Sequence, residues 1–220
     1  MRKKRTIRTI METKNIRVFF SKTGRAIYIS HLDLYRLFQR AIKRAKLPIW
    51  ETEGFNPHVY ITFALPLALG TAGVCESLDT RLTEEISAGE LIERFNDALP
   101  RDVRVLGAAE PVRKATEIAL SEYEAEFECD DAAFDAFLAG EHIPAEKKTK
   151  RGITELDLKE HLNVLERRPG YMRFTFPSGA EFNINAGLLF DAFEKISGTE
   201  IYSLHITRTA IRCSDGEIFK

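Results

Sequence analysis

Two histidines, a lysine and a set of arginines early in the 220-residue chain are of the types that move protons or hold phosphates. His31 follows Ser30 at the head of an apolar-periodic run, where free backbone amides and the helix dipole favour an anion. An imidazole there orients a phosphate, transfers a proton, or makes only a local hydrogen bond. His58 closes the run Gly54-Phe55-Asn56-Pro57-His58 and is the natural partner to suspect. Together the two form a candidate acid–base pair, provided both reach one phosphate. Between them Arg36, Arg40, Lys43 and Arg44, with Asp33, recur at spacings of three and four, which stack them on one side of a helix. Such a basic ridge is either a solvated face or a contact for phosphates or an acidic partner.

The elements that must hold these groups are readable nearby. Ser30 can accept from an orphan amide while Asp33 reaches back, an acidic variant of the capping box, so a helix should begin at His31. Leu34, Leu37, Phe38, Ala41, Ile42 and Ala45 form its core-facing stripe, and Leu47-Pro48 ends it. Before it, Asn15 to Ser21 reads as a strand, Lys22-Thr23-Gly24 as a turn, and Arg25 to Ile29 as a short extension into the helix. After it, Gly54 and Asn56-Pro57 shape a sharp loop, in which Phe55 either plugs the core or offers a stacking surface. Val59 to Ala64 has strand composition and Glu76 to Thr83 alternates at period two. Ser87 caps a second helix that ends at Pro100, and Val103 to Ala108 supplies another strand.

That order, strand, helix, strand, strand, helix, strand, is the split β-α-β repeat. The pattern starts again after residue 117. Ser121 to Cys129 alternates as a strand, and Asp130 or Asp131 caps a helix that runs to Gly140. A cationic loop follows, with Lys147, Lys148, Lys150 and Arg151, then an extended Ile153 to Leu158. Leu162 to Leu165 and Tyr171 to Phe176 pair around a Pro-Gly turn, and a further extended piece covers Glu181 to Ile184. A helix from Leu188 to Ile196 stops at Gly198, and Tyr202 to Ile211 is the closing strand. The expected fold class is α+β: two tandem ferredoxin-like (split β-α-β) sandwiches with antiparallel sheets, the second half embellished. The expected divisions are a basic flexible arm over 1–14, carrying Arg2, Lys3, Lys4, Arg5 and Arg8, one half over 15–115 and the other over 116–220.

Composition narrows the classes. Hydrophobic residues make up 44%, ample for a buried core. No span approaches the roughly 18 consecutive apolar residues of a membrane helix, and the basic start lacks a signal peptide's apolar segment, so a cytoplasmic protein without a membrane partner is expected. Cys75, Cys129 and Cys213 are far apart, and no histidine–carboxylate metal spacing occurs, so no metal is expected. The net charge of −1 hides a split. Residues 1–50 hold 14 Lys and Arg against two acids, and the remainder 18 against 31. An anionic partner at the basic end is the expectation that follows.

The stretch FSKTGRAIYISHLDLYRLFQRAIKRAKLPIWETEGFNPHVYITFALPLALG resembles the start of a bacterial radical-SAM-linked family, a domain of unknown function. The pieces that carry the resemblance are the Phe and Lys strand, the Ser-His-Leu-Asp helix start, the Gly-Phe-Asn-Pro-His loop and the Ala-Leu-Pro-Leu segment. The match weakens after residue 115, where Arg208 in HITRTAI is the clearest later echo. By this resemblance Lys22, Ser30, His31, Asp33, Arg36, Gly54, Phe55, Asn56, Pro57, His58 and Arg208 are carried over as binding candidates without assigned roles. Members are fused to, or encoded beside, radical SAM proteins, with RNase E/G-type and ribosomal genes as neighbours. The resemblance therefore implies an accessory partner in RNA modification or processing. S-adenosylmethionine and an iron–sulfur cluster are expected only in the radical SAM partner, because this sequence has no C-x3-C-x2-C triplet. Tandem ferredoxin-like halves also look like RNA-processing proteins of the CRISPR repeat-cleaving type, an analogy of fold alone.

Three functions are compatible with these residues. The first is a non-catalytic module that binds or presents tRNA or rRNA to a radical SAM enzyme, with Arg36, Arg40, Lys43 and Arg44 on phosphates and the loop on a nucleotide. The second is a protein-interaction subunit of that enzyme with no RNA contact. The third is a metal-independent ribonuclease using His31 and His58.

Overall fold

Alternation along β1 (Lys14–Lys22) buries Ile16, Val18 and Phe20. Pairing along both of its edges makes β1 a central strand. The computed structural model describes residues 13–149 and 152–220. The arginines and lysines of the basic arm, with Lys150 and Arg151 of the second cationic cluster, lie outside the described residues. The first half continues with α1 (His31–Arg44), β2 (Thr62–Phe63), β3 (Thr71–Leu82), α2 (Ala88–Ala98) and β4 (Val103–Ala109). The second contains β5 (Ile118–Glu128), α3 (Asp131–Ala139), β6 (Pro144–Thr149), β7 (Gly152–Asp157), β8 (Asn163–Arg168), β9 (Tyr171–Pro177), α4 (Gly187–Ser197) and β10 (Ser203–Cys213).

The chain is thus α+β, with four helices and a large, mostly antiparallel sheet among the described residues. Neighbours run β4-β1-β3-β10-β5-β9-β8, and β2 adds to β3. Two separate sheets were expected, yet one sheet crosses both halves. The seam is a short parallel pairing of Ile206–Arg208 on β10 with Thr71–Gly73 on β3. β6 and β7 form their own two-stranded sheet.

Each half keeps its own core. α1 and α2 lay Leu34, Phe38, Ile42, Leu91 and Phe95 against Val18, Phe20, Leu78 and Val103. Phe38 is fully buried and meets the rings of Phe20, Phe63 and Phe95 at centroid distances of 4.9, 5.8 and 6.1 Å. A buried ring of this kind contributes about 1.5–3 kcal/mol, which is how α1 is fixed with its basic face outward. In the second half Phe134, Phe190 and Phe193 pack over Phe127, Phe174 and Phe176. A small third cluster, Leu65, Ile118, Ile211, Cys213 and Phe219, lies between them.

Several local readings are corrected. The lead-in to α1 is a 3-10 turn over Gly24–Tyr28, one residue earlier than the segment read from sequence. Strand structure after the loop shrinks to Thr62–Phe63, because Val59 bridges to Glu51 in a separate hairpin. The cationic segment expected as a loop is largely strand, since Pro144–Thr149 pairs with Gly152–Asp157. Glu181 to Ile184 has no strand; Ile184 is instead buried beside α4 in the second core.

Candidate functional site

At the start of α1, Ser30 Oγ accepts from the Asp33 amide at 3.1 Å and donates to Asp33 Oδ2 at 2.7 Å. Asp33 is thus held by the cap's hydroxyl, where the capping box would have used a backbone amide. That hydrogen bond, helped by the Arg36 charge, holds the Asp33 carboxyl below its usual range. The helix N-terminus already has its anion. His31 sets its ring edge-on to Phe63 at 5.0 Å. Burial, then the charge of Lys22, push its pKa below the ordinary histidine value.

The sign of that shift gives a prediction. As pH falls below about 6.5 the unfolded chain protonates His31 before the folded chain does, so stability is lost as pH drops through the folded pKa. His31→Asn removes this contribution. The melting temperature of the wild type should therefore fall relative to that of His31→Asn as pH is lowered from about 7.5 to about 5. A constant difference over that range would sink the assignment.

Further along α1, Arg36, Gln39, Arg40 and Lys43 line a groove of about 230 Å³ whose other wall is His58 and Val59. The groove exists because the segment after α1 doubles back as a hairpin. Glu51 bridges Val59, and the Thr52 amide donates to the His58 carbonyl at 2.8 Å. Trp50 and Tyr60 meet below it at 5.6 Å, with the Arg81 guanidinium over both rings. At the tip, Gly54 has φ +133°, a conformation closed to other residues, and Phe55 is 100% exposed. Packing of Phe55 is excluded and a presented ring remains.

His58 Nδ1 lies 3.2 Å from the Asn56 carbonyl and 2.9 Å from Thr52 Oγ1. With the proton on Nδ1 the ring can give it to that carbonyl and Nε2 is an acceptor; with the proton on Nε2, Nδ1 accepts from the Thr52 hydroxyl and Nε2 is a donor. In the groove, Arg36 reaches Asp33 at 3.4 Å and Lys43 reaches Glu51 at 3.6 Å, both as exposed pairs. Such pairs contribute no more than about 1 kcal/mol and exchange readily for another anion. Arg44 leaves the ridge and donates to the Ala98 carbonyl at 3.2 Å.

The remaining candidates are elsewhere. The groove that holds His58 runs along Arg36 to Lys43, about 7.5 to 18 Å along the helix axis from His31, and His31 is not part of its lining. Lys22 is 1% exposed and donates to the Ile27 carbonyl at 3.3 Å, and burial lowers its pKa. Arg208 is equally buried. Its Nε donates to Glu76 Oε1 at 2.9 Å and its Nη2 to Glu76 Oε2, while Pro66 and Leu65 carbonyls accept at 3.2 and 3.3 Å. Burial opposes the charge, but Glu76 outweighs it and the guanidinium pKa is raised. Among the described residues no three His, Cys, Asp or Glu side chains converge as a metal site. Sequence reasoning missed Gln39, Thr52 and Glu76; only Gln39, one helical turn from Arg36 and Lys43, carried a local signal.

A family model described as "Uncharacterized protein conserved in bacteria (DUF2344)" matches residues 15–186. The chain belongs to that family. The matched span of this DUF2344 chain includes α1, the Gly54–His58 loop and Glu76, and stops short of Arg208. A search of curated proteins finds no match. Among solved structures, the crystal structure of an unknown protein from Galdieria sulphuraria is similar over 88% of this chain and 98% of that one, at 13% identity. Its TM-score of 0.30 is too low for the likeness to carry an argument. No helix among the described residues is long and apolar enough to cross a membrane.

Proposed function

We propose that this chain is an RNA-binding accessory module that presents tRNA or rRNA to a radical SAM enzyme. The observation that carries the RNA part is the groove, which sets Arg36, Arg40 and Lys43 opposite His58, whose loop also presents a fully exposed Phe55. Cations spaced along a helix suit successive phosphates, an exposed ring suits an unstacked base, and the His58 Nε2 suits a ribose hydroxyl, which both donates and accepts. The partner rests on the resemblance of residues 20–70 alone. Cys75, Cys129 and Cys213 lack the spacing to hold a cluster, so the radical chemistry and its cofactors belong to that partner.

The strand order supports the ferredoxin-like reading of both halves. Neighbours run β4-β1-β3-β2 in one and β10-β5-β9-β8 in the other, antiparallel throughout. In chain order each is the same fourth-first-third-second arrangement, once β6 and β7 are set aside as an insertion.

Titration of bulk tRNA against the purified chain over about 50 to 200 mM salt tests the proposal. Three phosphate contacts predict a slope of log affinity on log salt of about −2 to −3. A flat response would assign the ridge to an acidic surface of the partner enzyme instead. Phe55→Ala should weaken tRNA binding about 5- to 100-fold, the range of one lost base stack, with the melting temperature unchanged because the ring packs on nothing. Unaltered affinity would remove the stacking role.

A further inference from the structure

We infer that the junction of the two halves holds a second site, a pocket for a single nucleobase, an inference that rests on the RNA reading above. A cavity of about 130 Å³ lies between the segment Pro66–Ala68 of the first half and Asn183–Ala186 of the second, with Tyr123 and Arg208 also lining it. It is far smaller than the roughly 300 Å³ at which drug-sized pockets begin, and suits one planar ring system.

Three polar groups on its lining are incompletely used. Tyr123 is 4% exposed, its ring stacked on Phe174 at 5.7 Å, and its hydroxyl has no hydrogen-bond partner among the described residues. Asn183 Oδ1 is shut off from water and also has no partner. Arg208 gives Nε and both Nη2 hydrogens to Glu76 and Leu65 and one Nη1 hydrogen to Pro66, which leaves one N–H. Buried polar groups are normally satisfied, and a ligand in the cavity would complete the Tyr123 hydroxyl and the remaining Arg208 N–H.

The charge balance says what kind. Arg208 is the one charged residue on the lining, and Glu76 already matches it. A phosphate or carboxylate would bring an unmatched charge into the site, whereas a neutral group would not. The Arg208 N–H seeks an acceptor, and the Tyr123 hydroxyl serves either way, so it can meet a donor beside that acceptor. A neutral planar edge with donors beside acceptors is the Watson–Crick edge of a base, and Pro66, Leu67 and Ala186 give it apolar walls.

The test uses the full chain with uridine, cytidine, adenosine and guanosine as probes, followed by ligand-observed NMR and titration. At least one should bind, with Kd rising about 5- to 10-fold in Tyr123→Phe, which deletes one hydroxyl and keeps the ring on Phe174. Asn183→Leu is a second variant with the same expected direction, and it breaks no hydrogen bond of that side chain's buried oxygen. Failure of all four nucleosides at millimolar concentration, or unchanged affinity in both variants, overturns the pocket. Continued tRNA binding in that case leaves the groove reading standing. Nucleoside binding that both variants weaken, in a chain that does not bind tRNA, supports the pocket and removes the groove reading.

Discussion

Replacing Glu76 with glutamine is expected to destabilise the fold by about 3–5 kcal/mol and to lower the melting temperature by about 6–20 °C. Glu76 and Arg208 are 3% and 1% exposed, and both carboxylate oxygens face the guanidinium. Glutamine keeps the shape and removes the charge, so Arg208 is left as an uncompensated buried cation. Lys22 sits close enough for its charge to act on the same pair, which adds a second cation to the loss. Room for the carboxylate comes from Gly73, where any Cβ would collide with Glu76 Oε1. Gly73 is also the residue that Arg208 faces across the parallel seam, so the ion pair is built at the point where the two halves join. The double change Glu76→Met/Arg208→Met should recover most of the loss, because it removes the cost of desolvating both charges at once. Thermal and denaturant unfolding of the wild type and both variants measures this. A Glu76→Gln protein as stable as the wild type would mean that water reaches the pair.

The same residues show what was legible in the sequence and what was not. Helix starts were legible because caps act within three residues. The Ser30, Ser87 and Asp130 side chains accept from Asp33, Glu90 and Ala132 amides at 3.1, 3.1 and 3.0 Å, the first two where the pattern puts them and the third at one of the two positions it leaves open. The apolar stripe of α1 is equally local, and it buries Leu34, Phe38, Ala41 and Ile42 as read. The seam was not legible. It joins Thr71–Gly73 to Ile206–Arg208 through three residues per strand, and nothing near either segment encodes the other. The sequence therefore offers Arg208 only as a binding candidate by resemblance, and its partner Glu76 is 132 residues away.

Within the candidate site the same division holds. Spacing put Arg36, Arg40, Lys43 and Arg44 on one face, and three of them do line the groove. Arg44 departs because its chain reaches the Ala98 carbonyl at the end of α2, a tertiary contact that helical spacing cannot reveal. Phe55 departs from the usual fate of its type because the Glu51–Val59 bridge carries the loop tip out from the core. The β6–β7 hairpin was hidden for a related reason: Pro144–Thr149, PAEKKT, has no strand composition and is extended through its pairing with β7.

Arg36→Glu/Arg40→Glu is expected to weaken tRNA binding about 100-fold near 0.1 M salt and to make the salt slope shallower by about 1.5 to 2. The groove's fixed charge is modest, since Asp33 and Glu51 offset part of what Arg36 and Lys43 supply. A phosphate must displace those carboxylates, and exposed pairs of this kind yield at a cost of no more than about 1 kcal/mol each. Arg40 has no ion-pair partner among the described residues, so its charge is available outright. Reversal of Arg36 and Arg40 turns two attractions into two repulsions and leaves Lys43 alone. Fold stability should change little, because neither side chain is buried and a second carboxylate one turn from Asp33 costs only a few tenths of a kcal/mol, on the order of other like-charge helix pairs. Arg44→Glu is the matched control: one residue from Lys43 in sequence, it points to Ala98 and should leave the slope where it was. Loss in the double reversal with retention in Arg44→Glu ties RNA to the groove wall. Equal loss in both would reduce the effect to net charge, and steep salt dependence untouched by either would place the RNA on another surface of the chain.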